Sequence, residues 1–266
     1  VFFRAPFTLP FITPASMSHS PSMSSVSLRT WRARLMGSAL TVLVAAPQLL
    51  QAQPATASPI ASPTPLAPVV GAWRAVGTGA MPAVLTVDGT VWSGSTPADA
   101  AQRAGVRLFG AASPAWVANV TAPGAFPLAV AEGVQAFGEG TLRVRFRMDG
   151  GASDQNAGIV FGLAADGTYW YARYNTKDGN LALWRFANGE RQRVADGTGH
   201  RQLPLGAWHE LVVRVAGRQV TAAITGDRTM TLAHTLEAPP AGRVGVWVKR
   251  DAVTSFRDFV AEPAGR

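Results

Sequence analysis

The chain is 266 residues long, with 24 basic and 16 acidic side chains, 27 glycines, 19 prolines and no cysteine. At roughly 100–200 residues per domain, that length allows one or two domains. The missing thiol excludes disulfides, thiolate zinc and iron–sulfur centres, a cysteine nucleophile and a thioether lipid anchor. The net charge of +8 is unevenly placed. Residues 1–57 hold Arg4, Arg29, Arg32 and Arg34 and no acid, which leaves 20 basic against 16 acidic residues in the remainder. So modest an excess, behind an export signal, speaks against a nucleic-acid partner.

Arg29, Arg32 and Arg34 precede an apolar run, Leu35 to Leu50, interrupted by Pro47 and followed by Gln51-Ala52-Gln53. A basic segment, a short apolar stretch and small residues at the cut describe a secretory signal peptide, cleaved near Ala52 or Ala57. The run is shorter than the roughly 20 residues a membrane-spanning helix needs. The expectation is therefore export to the periplasm or the medium, with no integral membrane segment after cleavage. Met17, Met23 and Met36 are possible starts, and Met23 would give a signal of ordinary length, so residues 1–22 read as an over-extended frame. Residues 1–57 are taken as leader plus signal, and 58–70, rich in Pro, Ala and Ser, as a disordered linker. The folded domain is expected over 71–266, as a monomer.

Period-two alternation dominates that domain. Leu142, Val144, Phe146 and Met148 share one face of a stretch whose other face carries Arg143, Arg145 and Arg147, the pattern of a half-buried strand. The arginine stripe fits a solvated face or an anionic polymer. Asp166-Gly167, Asp178-Gly179 and Asn188-Gly189 supply the positive φ of tight hairpins and separate strand-like runs at 158–163, 168–175, 180–186 and 191–195. Further strands are predicted at 208–215, 219–225, 229–232, 243–248 and 255–260. A single helix is predicted at Pro97–Ala104, capped by Thr96 and ended by Gly105. Many short strands with turns between them argue for an all-β sandwich or jelly roll.

The order of motifs from Arg147 onward is specific. Ser153-Asp154-Gln155-Asn156-Ala157-Gly158 leads into a buried strand, and Asp166 to Asn175 (DGTYWYARYN) and Asp178 to Arg185 (DGNLALWR) follow. Later come Gly206-Ala207-Trp208-His209-Glu210-Leu211 and Trp247-Val248-Lys249-Arg250-Asp251. This order resembles the concanavalin A-like lectin/glucanase superfamily, and within it the secreted bacterial domains grouped with the 3-keto-disaccharide hydrolases and the laminin-G-like modules. The resemblance covers about Trp116 to Glu262. It implies a jelly-roll sandwich of two antiparallel sheets and a carbohydrate ligand, with hydrolysis or lysis of a 3-keto-glycoside, or a structural role at the envelope, as alternatives.

The linear carboxylate motif of retaining glycosidases on this fold, E-x-D-x-x-E, is absent, since Glu132, Glu139, Glu190, Glu210, Glu237 and Glu262 have no Asp two positions on. Such a mechanism would need carboxylates from different strands, about 5–5.5 Å apart. Histidines are scarce and not spaced as metal ligands, and His209 reads as structural. Asp149, Asp154 and Asn156, in a Gly-rich loop, offer hard oxygen donors to Ca²⁺ or serve as ordinary loop residues; no other cofactor is indicated. The stretch 168–175 places Tyr169, Tyr171, Arg173 and Asn175 on one face. Arg173 and Asn175 match positions where the resembling family repeatedly has Arg and Asn, and Lys249 and Asp251 fall in its W-x-K-x-D-like segment. Together with Tyr171 and Trp184 they form the candidate ligand site. The competing reading makes the aromatics core and the charged residues structural ion pairs.

Overall fold

A computed structural model describes residues 62–77 and 84–265. The leader, the signal segment with its cleavage positions and the first four residues of the linker, 58–61, lie outside the described residues. Among the described residues, fourteen strands form two seven-stranded antiparallel sheets. In chain order they are β1 (Leu66–Val70), β2 (Trp73–Val76), β3 (Val84–Asp88), β4 (Leu128–Ala131), β5 (Gly140–Gly150), β6 (Asn156–Leu163), β7 (Tyr169–Asn175), β8 (Asn180–Ala187) and β9 (Glu190–Asp196). These are followed by β10 (Trp208–Ala216), β11 (Gln219–Ile224), β12 (Thr231–Thr235), β13 (Arg243–Trp247) and β14 (Val253–Pro263). Helices α1 (Ala98–Phe109) and α2 (Pro114–Thr121) lie between β3 and β4. The first sheet runs β1-β4-β13-β6-β7-β8-β9 and the second β12-β11-β10-β5-β14-β3-β2.

Alternation builds the main core. Leu142, Val144, Phe146 and Met148 of β5 are fully buried and meet Ile159 and Phe161 of β6, Tyr174 of β7 and Leu181 and Leu183 of β8 between the sheets. The β8–β9 hairpin turns where predicted, with Asn188 at φ 54° and Gly189 at φ 75°. Two successive left-handed residues give the type I′ geometry whose twist matches the flanking strands.

A second apolar cluster lies on the other face of the first sheet. There α1 contributes Ala101, Ala104 and Leu108, and α2 contributes Trp116 and Val120, packed on Val160, Tyr169, Tyr171, Phe186 and Trp247. This cover extends the helical expectation considerably. Helix α1 continues to Phe109 and ends at Gly110, whose φ of 78° is the left-handed cap conformation. Gly105 is not its terminator. A Cβ there would stand 2.6 Å from Ala112 Cβ and 2.7 Å from Trp116 Cδ1, so the glycine admits α2 to close contact. The start is Pro97, and no side chain caps it. Helix α2 was not anticipated, although Ser113 caps it by accepting the Trp116 N–H at 3.0 Å and Pro114 opens its first turn. Residues 66–70, assigned by composition to the linker, form β1, because Ala67 and Val70 are buried and the backbone pairs with β4. No helix among the described residues is long and apolar enough to cross a membrane.

Candidate functional site

Cross-strand register arranges the outer face of the first sheet in rows. Tyr169 pairs with Phe186, and Phe186 with Arg191. The next row runs Val160, Tyr171, Trp184 and Arg193. Beyond it come Trp247, Gly158, Arg173 and Ala182, then Asn156, Asn175 and Asn180. The α1–α2 cover packs on the first two rows and on Trp247. Past Trp247 the face turns polar, and there the predicted residues gather.

Arg173, only 3 % exposed, donates from Nη2 to Asn180 Oδ1 at 3.0 Å and from Nη1 to Asp178 Oδ2 at 3.3 Å. Burial lowers its pKa, and Asp178 pulls the other way. Asn175 Nδ2 donates both to Asp178 Oδ2 at 2.8 Å and to Asp154 Oδ1 at 3.3 Å. The Asp154 carboxylate is buried and takes the Lys249 ammonium at 3.0 Å. Asn156 Oδ1 accepts the Lys249 backbone N–H at 2.9 Å and so fixes where that side chain begins. A buried charge is tolerated only when paired and hydrogen-bonded, and each of these meets that condition through another.

Beside this network the aromatic rings form a row. Tyr171 lies 4.1 Å from Trp247 and 6.2 Å from Trp184, centroid to centroid, the latter nearly parallel at 10°. Three guanidinium carbons approach the Trp184 ring: Arg191 at 5.5 Å, Arg193 at 5.6 Å and Arg173 at 5.7 Å. Buried Tyr171 Oη, Arg173 Nε and Trp184 Nε1 have no hydrogen-bond partner. Burial pushes the Tyr171 hydroxyl up to about 12, against the opposing charges of Arg191 and Arg173.

The structure thus joins Arg173, Asn175 and Lys249 in one network and sets Tyr171 and Trp184 beside it. It also makes Arg173, Asn175 and Tyr171 buried, so the accessible groups are Asp178, Asn180, Lys249 and Trp184. Asp251 acts differently. Its carboxylate accepts the backbone N–H groups of Ala152, Ser153 and Asp154 at 2.7–3.0 Å and so shapes the loop that presents Asp154. The proposed calcium donors are divided. Asp149 bonds Arg147 and Ser255 on the second sheet, whereas Asp154 and Asn156 are taken up by Lys249. Among the described residues no group of three His, Cys, Asp or Glu side chains is placed to hold a metal ion.

Sequence reasoning read Asp178 only as a turn residue and passed over Asn180, Arg191 and Arg193. The Asp-Gly signal that marks the hairpin masked the side chain's second role. Asp154 and Asp178, from different loops, both bond the amide of Asn175, which brings together two carboxylates that no linear motif contains. Each also faces a cation, Lys249 and Arg173 respectively.

No protein-family profile matches the chain, and no curated protein does. Solved structures do. The carbohydrate-binding module CBM66 from Bacillus subtilis superposes with a TM-score of 0.50 at 13 % identity, over 74 % of this chain and 94 % of that one. A β-glucanase from Bacillus licheniformis gives 0.38 at 11 % identity over 52 % and 72 %. Galectin LEC-6 of Caenorhabditis elegans gives 0.34 at 9 % identity over 48 % and 83 %. The first of these likenesses, together with the paired seven-stranded antiparallel sheets, makes the described domain a concanavalin A-like β-sandwich.

Proposed function

We propose that this domain binds a saccharide at the polar end of the first sheet's outer face, and that it does so outside the cytoplasm. The observation that carries the reading is the convergence of Asp178, Asn180 and Lys249 beside the half-buried indole of Trp184. Sugars present apolar C–H patches that stack on aromatic rings and hydroxyls that need both donors and acceptors. Here Asp178 and Asn180 supply acceptors, and Lys249 and Asn180 supply donors. The buried Arg173, Asn175 and Asp154 hold them in place, as a preorganised site requires. A structural neighbour bearing the name carbohydrate-binding module is in keeping with this reading.

Affinity electrophoresis through gels cast with different polysaccharides tests it. One or more should retard the protein, and Trp184→Ala or Asp178→Ala should cut that affinity at least tenfold without changing the unfolding midpoint by more than a few degrees. Retardation by none, or retention of full affinity in both variants, would refute the site. A second reading, cleavage of a glycoside, is favoured by one observation: Asp154 and Asp178 meet at the Asn175 amide. Release of reducing sugar that stops in Asp178→Asn would establish it in place of simple binding.

A further inference from the structure

Between the helical cover and the polar end of the first sheet, the groups around Trp184 hold more donors than acceptors. Around Trp184 stand Arg173, Arg191 and Arg193. Arg173 shares Asp178 with Asn175, and Arg193 pairs with Asp196. Arg191 makes no ion pair among the described residues; it rests on the Phe126 and Trp184 rings, 4.7 and 5.5 Å from their centroids. The buried side-chain atoms left without hydrogen-bond partners in this region are Arg173 Nε, Trp184 Nε1, Trp247 Nε1 and Tyr171 Oη, together with Asp154 Oδ2, which lies 3.0 Å from the Lys249 ammonium. The first three can only donate, the tyrosine hydroxyl can donate, and the one acceptor already faces a cation. Buried donors are almost always satisfied in folded proteins; Tyr171 and Trp247 lie under the helical cover, so the two that a ligand can complete are Arg173 Nε and Trp184 Nε1. The same two cations, Arg191 and Arg173, pull against the larger effect of burial on the Tyr171 hydroxyl. A neutral sugar hydroxyl is a poor match for this surplus, because it brings a donor with every acceptor. A negatively charged oxygen group brings acceptors alone, in the planar or trigonal arrangement that guanidinium groups recognise.

We propose that the saccharide bound at this face is acidic, with its carboxylate or sulfate ester seated among Arg191, Arg173 and the Trp184 indole N–H. This rests on the saccharide reading above and narrows it to a chemical class. Arg191 is then a specificity determinant that neither composition nor spacing reveals. It sits on β9, the edge strand of the first sheet, half-exposed and free to approach a polymer chain lying along the sheet end.

The experiment compares matched polymers by affinity electrophoresis of the whole protein in 0.15 M salt. Polygalacturonate and alginate carry carboxylates, dextran sulfate carries sulfate esters, and dextran and a β-glucan are neutral. At least one acidic polymer should bind tenfold or more tightly than both neutral ones, and the arms tell carboxylate from sulfate. Arg191→Gln and Trp184→Phe, the second keeping the ring but losing the N–H, should each weaken that binding at least fivefold. Arg145→Gln removes the same unit of charge from the opposite sheet and should change it less than twofold. Neutral polymers bound as well as acidic ones would overturn the inference while leaving saccharide binding standing. An equal loss in Arg145→Gln would also overturn it, by reducing the effect to general charge. Binding to no polymer would overturn both readings together.

Discussion

The two sheets carry arginine on their outer faces in contrasting ways. On the second sheet Arg143, Arg145 and Arg147 line β5 with side chains 36–45 % exposed, each facing one carboxylate: Glu262, Asp258 and Asp149. Arg147 and Arg257 also flank the Trp208 ring at 5.2 and 4.2 Å. On the first sheet Arg173 is almost fully buried, and its partner Asp178 also accepts from Asn175, which in turn bonds Asp154, the partner of Lys249. Residue type and alternation are the same in both places; solvation differs. Exposed pairs exchange water for one another at little net gain. A buried set has already lost its water, so removing one member strands the others. The first arrangement tolerates substitution, and the second enforces one geometry.

Lys249→Ala tests that contrast most severely. It leaves the Asp154 carboxylate, 4 % exposed, with the neutral Asn175 amide at 3.3 Å and, as its only remaining cation among the described residues, Arg250 Nε at 3.9 Å. The expected loss of stability is about 3 kcal/mol, measured by urea unfolding. The double variant Lys249→Met/Asp154→Leu should recover much of it, since no buried charge is then left alone.

Alkaline pH sharpens the comparison next. Tyr171 has its folded-state pKa raised to about 12 from an ordinary 10. Its contribution is fully present below pH 10. It falls as the unfolded chain ionises first, and the loss is complete above pH 12, reaching on the order of 2–3 kcal/mol. Tyr169, also raised by burial, adds to the same trend. The fall in urea midpoint between pH 9 and pH 12 should be visibly smaller in Tyr171→Phe. An equal fall would separate the effect from this hydroxyl.

The smallest effect belongs to the second sheet. Arg145 and Asp258 are 4.0 Å apart and both open to solvent. Arg145→Gln should therefore change stability by less than about 0.5 kcal/mol in the same urea experiment. A larger change would mean that the exposed face is organised as tightly as the buried one.

What the sequence revealed follows from the range of each signal. β5 and the β6–β9 hairpins were legible because alternation and Asp-Gly or Asn-Gly turns are local. β4, the run Leu128-Ala129-Val130-Ala131, was not, since all four residues are buried and no alternation survives. β1 was hidden by a Pro-rich composition and owes its existence to pairing with β4, some sixty residues away. Arg173, Asn175 and Lys249 were grouped from strand parity and the family resemblance, and the structure joins them in one network. That Tyr171 is sealed beneath a helical cover was not legible, because the cover comes from residues 98–126, far from β7 in sequence. Parity tells which face a side chain takes, but not what lies over that face.

The carboxylate of Asp251 has a consequence for the molecule as a whole. It accepts three consecutive backbone N–H groups from the loop between β5 and β6, while itself standing in the loop between β13 and β14. Both loops cross from one sheet to the other, so a single side chain clasps the sandwich at the end where the polar network lies. Burial works against its ionisation, yet the N–H groups of Ser153, Asp154 and Ala152 outweigh that and hold its pKa below the ordinary value. The clasp is therefore intact above the usual carboxylate range and opens only as acid protonates it in the folded state. In a chain without cysteine, this is a crosslink indifferent to reductants and governed by protons instead.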